Sequence, residues 1–185
     1  MSNINNPSPP PCQADKTMNM GGGYPMRPSH CGFVCPWCCW PDRPNCPNPC
    51  LPLRDYGPEP FVINIEEAAK QNNYFRLALW TGRYLQLTLM SIRVGGDVGL
   101  EMHPDVDQFI RVEEGQGFVM MGDRKDWLDF RRPVADDDVI LIPAGKWHNL
   151  INTGGIPLKL YSIYAPPEHP HGTIHETQED AAHHE

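Results

Sequence analysis

Short apolar runs separated by turn residues dominate the chain from Phe61 onward. Gly95-Gly96 and Gly122-Asp123 are examples of the turn residues between them. The runs are predicted strands at 61–65, 75–80, 85–94, 98–103, 109–112, 117–121, 139–142, 147–151 and 158–164, with a short helix at 66–72. Many short strands with regular turn signals are typical of a β-sandwich or barrel. We therefore predict an all-β domain, with a double-sheet jelly roll as the best fit.

Alternation within two of these runs predicts which side chains share a face. Leu85, Leu87 and Leu89 lie on one face of their strand and Ile92 on the other, because side chains repeat every two residues. Both faces are therefore apolar, which predicts that one face lies in the barrel and the other against a partner. In the run 158–164, Leu158, Leu160 and Ser162 share a face. The charged segment 127–132 is interpreted as an exposed excursion.

The composition changes abruptly near residue 60. All seven cysteines lie between Cys12 and Cys50, and fourteen of the twenty-one prolines lie at or before Pro60. Prolines at this density exclude helix interiors and central strands. The sequence predicts an irregular arm at 1–60, a β domain at 61–170 and a tail at 171–185.

The cysteines leave three interpretations open. Cys35 and Cys38 have the spacing of a thioredoxin-type redox pair, but the strand and helix that such a pair needs are missing around them. Several of the cysteines from Cys31 to Cys50 are candidate zinc ligands, although the spacing is not a paired CxxC framework. Disulfide crosslinking within the arm or to other chains is the third interpretation. Arms of this composition resemble those of some bacterial spore-coat proteins.

Charge and hydropathy exclude several partners. The formal net charge of -8 and the pI near 5.4 argue against a nucleic-acid or anionic-membrane surface. No run approaches the length of a membrane-spanning helix, and the N-terminal residues lack the basic start and apolar middle of a secretory signal. We expect a cytoplasmic protein, or a spore-coat protein if the arm determines its location.

Two stretches carry candidate metal ligands. Glu101 and His103 are two residues apart, so on an extended strand both point to the same face. Gln108 begins the next apolar run, and His148 begins another one after a Pro-Ala-Gly turn. If the strands face each other, these four side chains form one ligand set.

These two stretches resemble the paired motifs of the cupin superfamily. Gly95, Glu101, His103, Gln108 and Gly115 fall at the spacing of the first motif, G-x5-H-x-H-x4-E-x6-G. The second motif, G-x5-P-x-G-x2-H-x3-N, is matched by Asp137, Pro143, Gly145, His148 and Asn152. Glu101 stands where the family has His, Gln108 where it has Glu, and Asp137 where it has Gly. The resemblance covers roughly residues 61–170 and implies a double-stranded β-helix barrel, and it extends to mannose-6-phosphate isomerase-like cupins.

The resemblance also implies a metal site and two classes of function. Two imidazoles and a carboxylate suit Fe(II), Mn(II), Ni(II) or Zn(II), and a buried Glu needs a proton or a cation as partner. One class is a small metal-dependent enzyme of isomerase or dioxygenase type with a small polar substrate, in which Glu101 moves the proton. The other is a non-catalytic ligand-binding or structural protein, crosslinked through its arm. Cupins are commonly homodimers.

Three tail histidines, His169, His171 and His175, form the remaining candidate cluster. Close histidines bind metals, but a proline-broken surface segment exposed to solvent is the more common case. We predict that these histidines lie on the surface.

Overall fold

The structure is a computed structural model and describes residues 52–182. The arm's cysteines, Cys12 to Cys50, and the last three residues lie outside the described residues. The described elements are α1 (Ile65–Gln71), β1 (Arg76–Thr81), β2 (Gln86–Ile92), β3 (Asp107–Glu114), β4 (Gln116–Gly122), β5 (Phe130–Ala135), β6 (Val139–Ile142), β7 (Trp147–Asn152), β8 (Leu158–Ala165), β9 (Ile174–His175) and α2 (Gln178–Ala182). Neither of the described helices is long and apolar enough to cross a membrane.

Two antiparallel sheets face each other around the core. The larger sheet has the strand order β6-β3-β8-β2-β1-β9, and the smaller has the order β5-β4-β7. Alternate residues of each strand point inward, so Ile110 and Leu160 from the larger sheet pack with Val119 and Leu150 from the smaller one. This arrangement confirms the predicted all-β jelly roll.

Helix α1 covers part of the outer face of the larger sheet. Ala68 and Ala69 of the helix are buried against Leu77, Leu79 and Leu89. The second apolar face predicted for the 85–94 run therefore packs in part against the chain's own helix. The inner face of β8 is as predicted, because Leu158, Leu160 and Ser162 are all fully buried.

The predicted strand at 61–65 is wrong. No strand forms there, and Ile65 instead begins α1. The Asn64 side chain caps this helix by accepting a hydrogen bond from the Glu67 backbone N–H at 3.3 Å. Glu66 and Glu67 in the first turn add favourable charge at the positive end of the helix dipole. These local capping effects outweigh the alternating apolar pattern.

The predicted strand at 98–103 is also interrupted. This part of the chain forms only isolated bridges to β7, at Glu101 with His148 and, just before the run, at Asp97 with Ile151. Gly99 lies between the bridges with a φ of 93°, which breaks the extended backbone. The segment thus lies beside β7 without being a regular strand.

The segment 127–132 is not simply an excursion. Its second half belongs to β5, which pairs with β4 at the edge of the smaller sheet. The prediction of exposure is correct for Phe130, Arg131 and Arg132. An edge strand tolerates charged side chains and the following Pro133, because one of its sides has no hydrogen-bonding neighbour.

The flanking segments pack on the barrel. The Asp55 carboxylate accepts hydrogen bonds from Thr81 and from the Gly172 backbone N–H. Strand β9 pairs with β1 through Arg76 and His175. Parts of the segments assigned to the arm and the tail therefore contact the same strand.

Candidate metal site in the barrel

Backbone hydrogen bonds to β7 fix the position of Glu101. The Glu101 N–H donates to the His148 carbonyl at 3.1 Å, and the His148 N–H donates to the Glu101 carbonyl at 2.9 Å. The Gly145 N–H donates to the His103 carbonyl at 2.7 Å. The two predicted ligand stretches are thus joined directly, with Glu101 opposite His148.

The three side chains converge inside the barrel. Glu101 Oε1 lies 3.5 Å from His103 Nε2 and 3.4 Å from His148 Nε2. Both rings are buried, and neither Nε2 atom has a hydrogen-bond partner among the described residues. These separations exceed the usual N–H···O hydrogen-bond length of about 2.7–3.2 Å. The polar atoms therefore point at a common space without bonding well to each other.

The opposite nitrogen of each ring is held by a partner. His103 Nδ1 lies 3.0 Å from Glu168 Oε1, and His148 Nδ1 lies 2.9 Å from the Lys146 carbonyl oxygen. A carboxylate or carbonyl in this position accepts from Nδ1–H and leaves the Nε2 lone pair free. Metal-binding histidines are oriented in this way by their outer partners.

Charges around Glu101 stabilise its ionised form. Burial by itself raises the pKa of the Glu101 carboxyl, but His103, His148 and the Arg76 guanidinium together hold that pKa well below its usual range. Burial lowers the pKa of the His103 ring, and the carboxylates of Glu101 and Glu168 outweigh it, so the net pKa is raised. The site is therefore built around a permanent negative charge.

The position of Arg76 removes one argument for a metal ion. The sequence interpretation required a cation to neutralise an unpaired Glu101, but Arg76 Nη2 lies 3.6 Å from Glu101 Oε2. Glu101 already has a positive partner, so its burial alone does not call for a metal ion.

The geometry nevertheless fits a divalent metal. Glu101, His103 and His148 are a group able to hold a metal ion, with ligand atoms all within 4.8 Å of one another. Zinc-type ligand distances of about 2.0–2.2 Å at tetrahedral angles place ligand atoms about 3.4 Å apart. The two His-to-Glu separations match this spacing, and both free Nε2 atoms supply the lone pairs that a metal needs.

Comparison with known proteins identifies the family of this barrel. A family model described as a cupin domain matches residues 88–164. The chain is 65% identical over 131 residues to the uncharacterised protein YrkC of Bacillus subtilis, covering 71% of this chain and 70% of YrkC. The chain belongs to the cupin family. A Bacillus halodurans protein of known crystal structure is 65% identical to this cupin, with 70% of this chain and 98% of that chain covered at a TM-score of 0.70. An uncharacterised protein of Acanthamoeba polyphaga mimivirus is 40% identical over 115 residues, covering 62% of this chain and 70% of that protein.

The three motif departures have different consequences in this cupin. Asp137 adopts a φ of 71°, a left-handed conformation that Asp tolerates, so the turn is kept without Gly. Glu101 supplies a carboxylate from the first stretch. Gln108 is buried on the inner face of β3, where its Nε2 donates to Ser162 Oγ at 3.0 Å. Its Oε1 has no hydrogen-bond partner among the described residues, and its assignment as a fourth ligand stays a prediction.

The tail histidines do not behave as predicted. Only His171 is exposed, whereas His175 is buried and His169 is partly buried with an enclosed Nε2. The surface interpretation is therefore wrong for two of the three. They are not among the groups in the described chain that could hold a metal.

Sequence reasoning missed Arg76 and Glu168. Two basic residues that lie nearer to the motifs in sequence, Lys146 and Arg111, pair instead with the exposed acids Asp123 and Asp137. Arg76 lies on the face of β1 opposite to Leu77 and Leu79. A single charged residue in this apolar run was the pattern that could have indicated it. No local sequence pattern indicates Glu168, because it lies 65 residues from the ring that it contacts.

Proposed function

We propose that this cupin binds one divalent metal ion, Fe, Mn, Ni or Zn, on Glu101, His103 and His148, with Gln108 as a fourth ligand. We further propose that it is a small metal-dependent enzyme of isomerase or dioxygenase type that acts on a sugar or another small polar molecule. One observation carries the metal proposal. Two buried histidines have their Nδ1 atoms held by oxygen acceptors, while their free Nε2 atoms lie beside one carboxylate oxygen.

The chain's own residues supply orientation and charge in this proposal. When bound, the metal supplies a Lewis acid with open coordination positions for a polar substrate. Glu168 and the Lys146 carbonyl fix the ring orientations. Glu101 directs Oε1 toward the histidines and Oε2 toward Arg76, and these contacts keep it ionised. Its role in moving a substrate proton stays a prediction of the sequence.

Metal analysis of the full chain tests the proposal. The arm's seven cysteines are replaced by serine, so that bound metal reports on nitrogen and oxygen ligands. The protein is purified without a His tag and loaded in turn with Fe(II), Mn(II), Ni(II) or Zn(II). We expect about one equivalent of at least one metal per chain.

Matched variants locate the metal. His148→Gln should lose it, while His171→Gln, which changes an exposed tail histidine, should retain it. A protein that takes up none of the four metals, or a His148→Gln variant that still holds a full equivalent, would show that the barrel is not a metal centre. If Gln108→Glu leaves the affinity unchanged, Gln108 is not a ligand.

We also propose that the chain is a homodimer through the outer face of the larger sheet. Leu141 is 66% exposed and Val139 is 48% exposed on β6. Leu141 lies beside Phe109 and Ile163, which are not among the residues packed against α1. Contiguous exposed apolar residues mark interaction surfaces. Light scattering should give twice the monomer mass for the wild type and the monomer mass for Leu141→Lys, with Val62→Lys, at an exposed residue away from these strands, as the control.

The arm supports an alternative function. Seven cysteines confined to residues 12–50 favour a structural protein crosslinked through zinc or disulfides, as in a spore coat. In the cytoplasm, those thiols would stay reduced. Electrophoresis of the native protein under non-reducing conditions separates the two proposals. A ladder of covalent oligomers supports a layer crosslinked by disulfides. A single monomer band excludes disulfide crosslinking and leaves the cytoplasmic enzyme or a zinc-linked layer.

A further inference from the structure

Arg76 is a buried guanidinium with unused donors. Its side chain is 1% exposed, and its Nε and Nη1 atoms have no hydrogen-bond partner among the described residues. Those atoms carry three of the five N–H donors of an arginine side chain. Its ionic contact with Glu101, at 3.6 Å, is made by Nη2 and is too long for a hydrogen bond. A buried charged group with free donors is costly unless a ligand or water accepts from it.

A pocket of about 290 Å³ lies against Arg76. It is lined by residues that follow β8, including His169, Thr173 and Ile174, and by Ala181 of α2. None of the four proposed metal ligands lines it. Arg76 therefore belongs to both regions, because its Nη2 lies toward Glu101 and its side chain also contributes to the wall of the pocket.

His169 is held rigidly at this pocket. The His169 backbone N–H donates to Gln86 Oε1 at 3.0 Å, and Gln86 Nε2 donates to the His169 carbonyl at 2.9 Å. Gln86 is fully buried on β2, 83 residues away in sequence. The His169 ring meets the Tyr164 ring edge-on, with centroids 5.1 Å apart. Side chain and backbone are thus both fixed, although the segment has no regular secondary structure.

His169 supplies a second unused polar atom. Its Nε2 is buried without a hydrogen-bond partner among the described residues. Burial and the nearby Arg76 charge lower the pKa of this ring to about 3, so the ring is neutral at physiological pH. The positive charge of Arg76 and the neutral nitrogen of His169 therefore lie at the same pocket.

The net charge of this region favours an anionic ligand. This step rests on the proposed function. A divalent metal, the Glu101 carboxylate and the Arg76 guanidinium together carry a net charge of about +2 in a buried region, and Glu168 reduces it to about +1. A ligand with one negative charge completes the neutralisation.

We propose that this pocket binds the carboxylate group of a small monoanionic molecule, with the free N–H groups of Arg76 donating to the carboxylate and His169 beside it. The substrate class of the metal site would then be small carboxylic acids. The pocket volume of about 290 Å³ suits a small molecule.

Carboxylate fits better than phosphate. Among the residues that line the pocket, Arg76 is the one cation of fixed charge, and the named neighbours Thr173, Ile174 and Ala181 carry no charge. A phosphate group carries up to two negative charges and is normally met by several cationic or backbone donors. One guanidinium matches one carboxylate.

Nuclear magnetic resonance on the full-length, zinc-loaded protein tests the proposal directly. Sodium butyrate is the probe, butyramide is its uncharged match in shape, and inorganic phosphate is the competing anion. The Nε–H signal of Arg76 reports on the donor itself. We expect a saturable shift of this signal with butyrate, no saturable shift with butyramide, and at least tenfold weaker binding of phosphate.

Variants separate the pocket from general charge attraction. Arg76→Lys keeps a positive charge near Glu101 but removes the Nε and Nη1 donors, and His169→Phe keeps a ring while removing its nitrogens. Both should weaken butyrate binding at least tenfold, measured from the amide signals of Thr173 and Ile174. Arg111→Gln, at a partly exposed arginine on the outer face of β3, should bind butyrate as the wild type does. Circular dichroism and thermal melting confirm that each variant is folded.

The outcomes distinguish this inference from the metal proposal. If the protein holds zinc but shows no saturable butyrate binding, or binds butyramide or phosphate as tightly, the inference fails and the metal proposal stands. If the protein takes up none of the four metals, the metal proposal fails, and the butyrate titration is then read on the metal-free chain. Saturable binding that requires Arg76 and His169 supports the pocket in either case.

Discussion

Two buried carboxylates in this cupin have opposite surroundings. The Asp55 side chain is 1% exposed and accepts four hydrogen bonds of 2.6–3.0 Å, from the Thr81 N–H and hydroxyl and from the backbone N–H groups of Gly57 and Gly172. The Glu101 side chain is 10% exposed, and its nearest cationic or imidazole nitrogens lie at 3.4–3.6 Å. A carboxylate with its acceptors filled holds structure together, whereas one surrounded by nitrogens just beyond bonding distance has room for a ligand.

Glu101→Gln should have the largest effect on metal binding. The substitution keeps the side-chain shape but removes the charged ligand, so we expect at least a hundredfold loss of metal affinity, which corresponds to about 2.7 kcal/mol. Calorimetric titration with the metal found in the wild type measures it. Asp55→Asn serves as the matched control and should bind metal like the wild type. Equal metal affinity in Glu101→Gln and the wild type would remove the distinction between the two carboxylates.

Glu168→Gln tests whether the outer partner of His103 supports metal binding. Glu168 contacts the Nδ1 atom of His103 and is not itself a proposed ligand. Loss of a charged outer partner typically weakens metal binding about 10- to 100-fold. The Glu168 side chain is 30% exposed, so the fold should tolerate the change. Glu176→Gln, at an exposed glutamate of the same tail, is the control and should leave the affinity unchanged.

Asp55→Asn tests whether the contacts of Asp55 stabilise the fold. It replaces one acceptor oxygen with an NH2 group that faces backbone donors, which should lower the free energy of unfolding by about 1–3 kcal/mol. Urea denaturation of the metal-free protein measures this loss. Glu59→Gln, a nearby exposed carboxylate, should change it little. If Asp55→Asn is as stable as the wild type, the contacts of Asp55 do not fasten the flanking segments to β1.

The pH dependence of Asp55 is the smallest expected effect. Burial raises the pKa of this carboxyl, but the hydrogen bonds from Thr81, Gly172 and Gly57 outweigh it and hold the pKa below its usual value of 3.8. A carboxyl with a lowered folded-state pKa stabilises the fold above its unfolded-state pKa, and that contribution is lost as pH falls through the folded-state pKa. The stability gap between wild type and Asp55→Asn should therefore be constant near neutral pH and shrink below about pH 4. Urea melts at several acidic pH values check this, and a gap independent of pH would contradict it.

Much of the fold was predictable because it depends on local alternation. The predicted runs 139–142 and 158–164 coincide with β6 and nearly with β8. Failures occurred where a local effect competes with the pattern. Capping by Asn64 turned a predicted strand into the start of a helix, Gly99 interrupted another, and β5 was hidden because an edge strand carries charge on exposed positions.

The candidate site was predictable only in part. Glu101, His103 and His148 follow from motif spacing, since two residues along an extended segment share a face and the turn before β7 sets the position of the third. The spacing also indicated Gln108, which the structure places on the inner face of β3. Nothing in the local sequence distinguishes the buried His169 from the exposed His171, which lies two positions further on.

The sequence by itself determined the alternation of apolar residues, the turns between strands and the spacing of the two ligand stretches. Only the tertiary structure decided that Arg76 lies beside Glu101, that Glu168 holds His103, and that Gln86 clamps His169. The physical reason is that strand order and register, not distance along the chain, determine which side chains meet inside a barrel. Residues on β1, on β2 and after β8 therefore complete a site that the two motifs only begin.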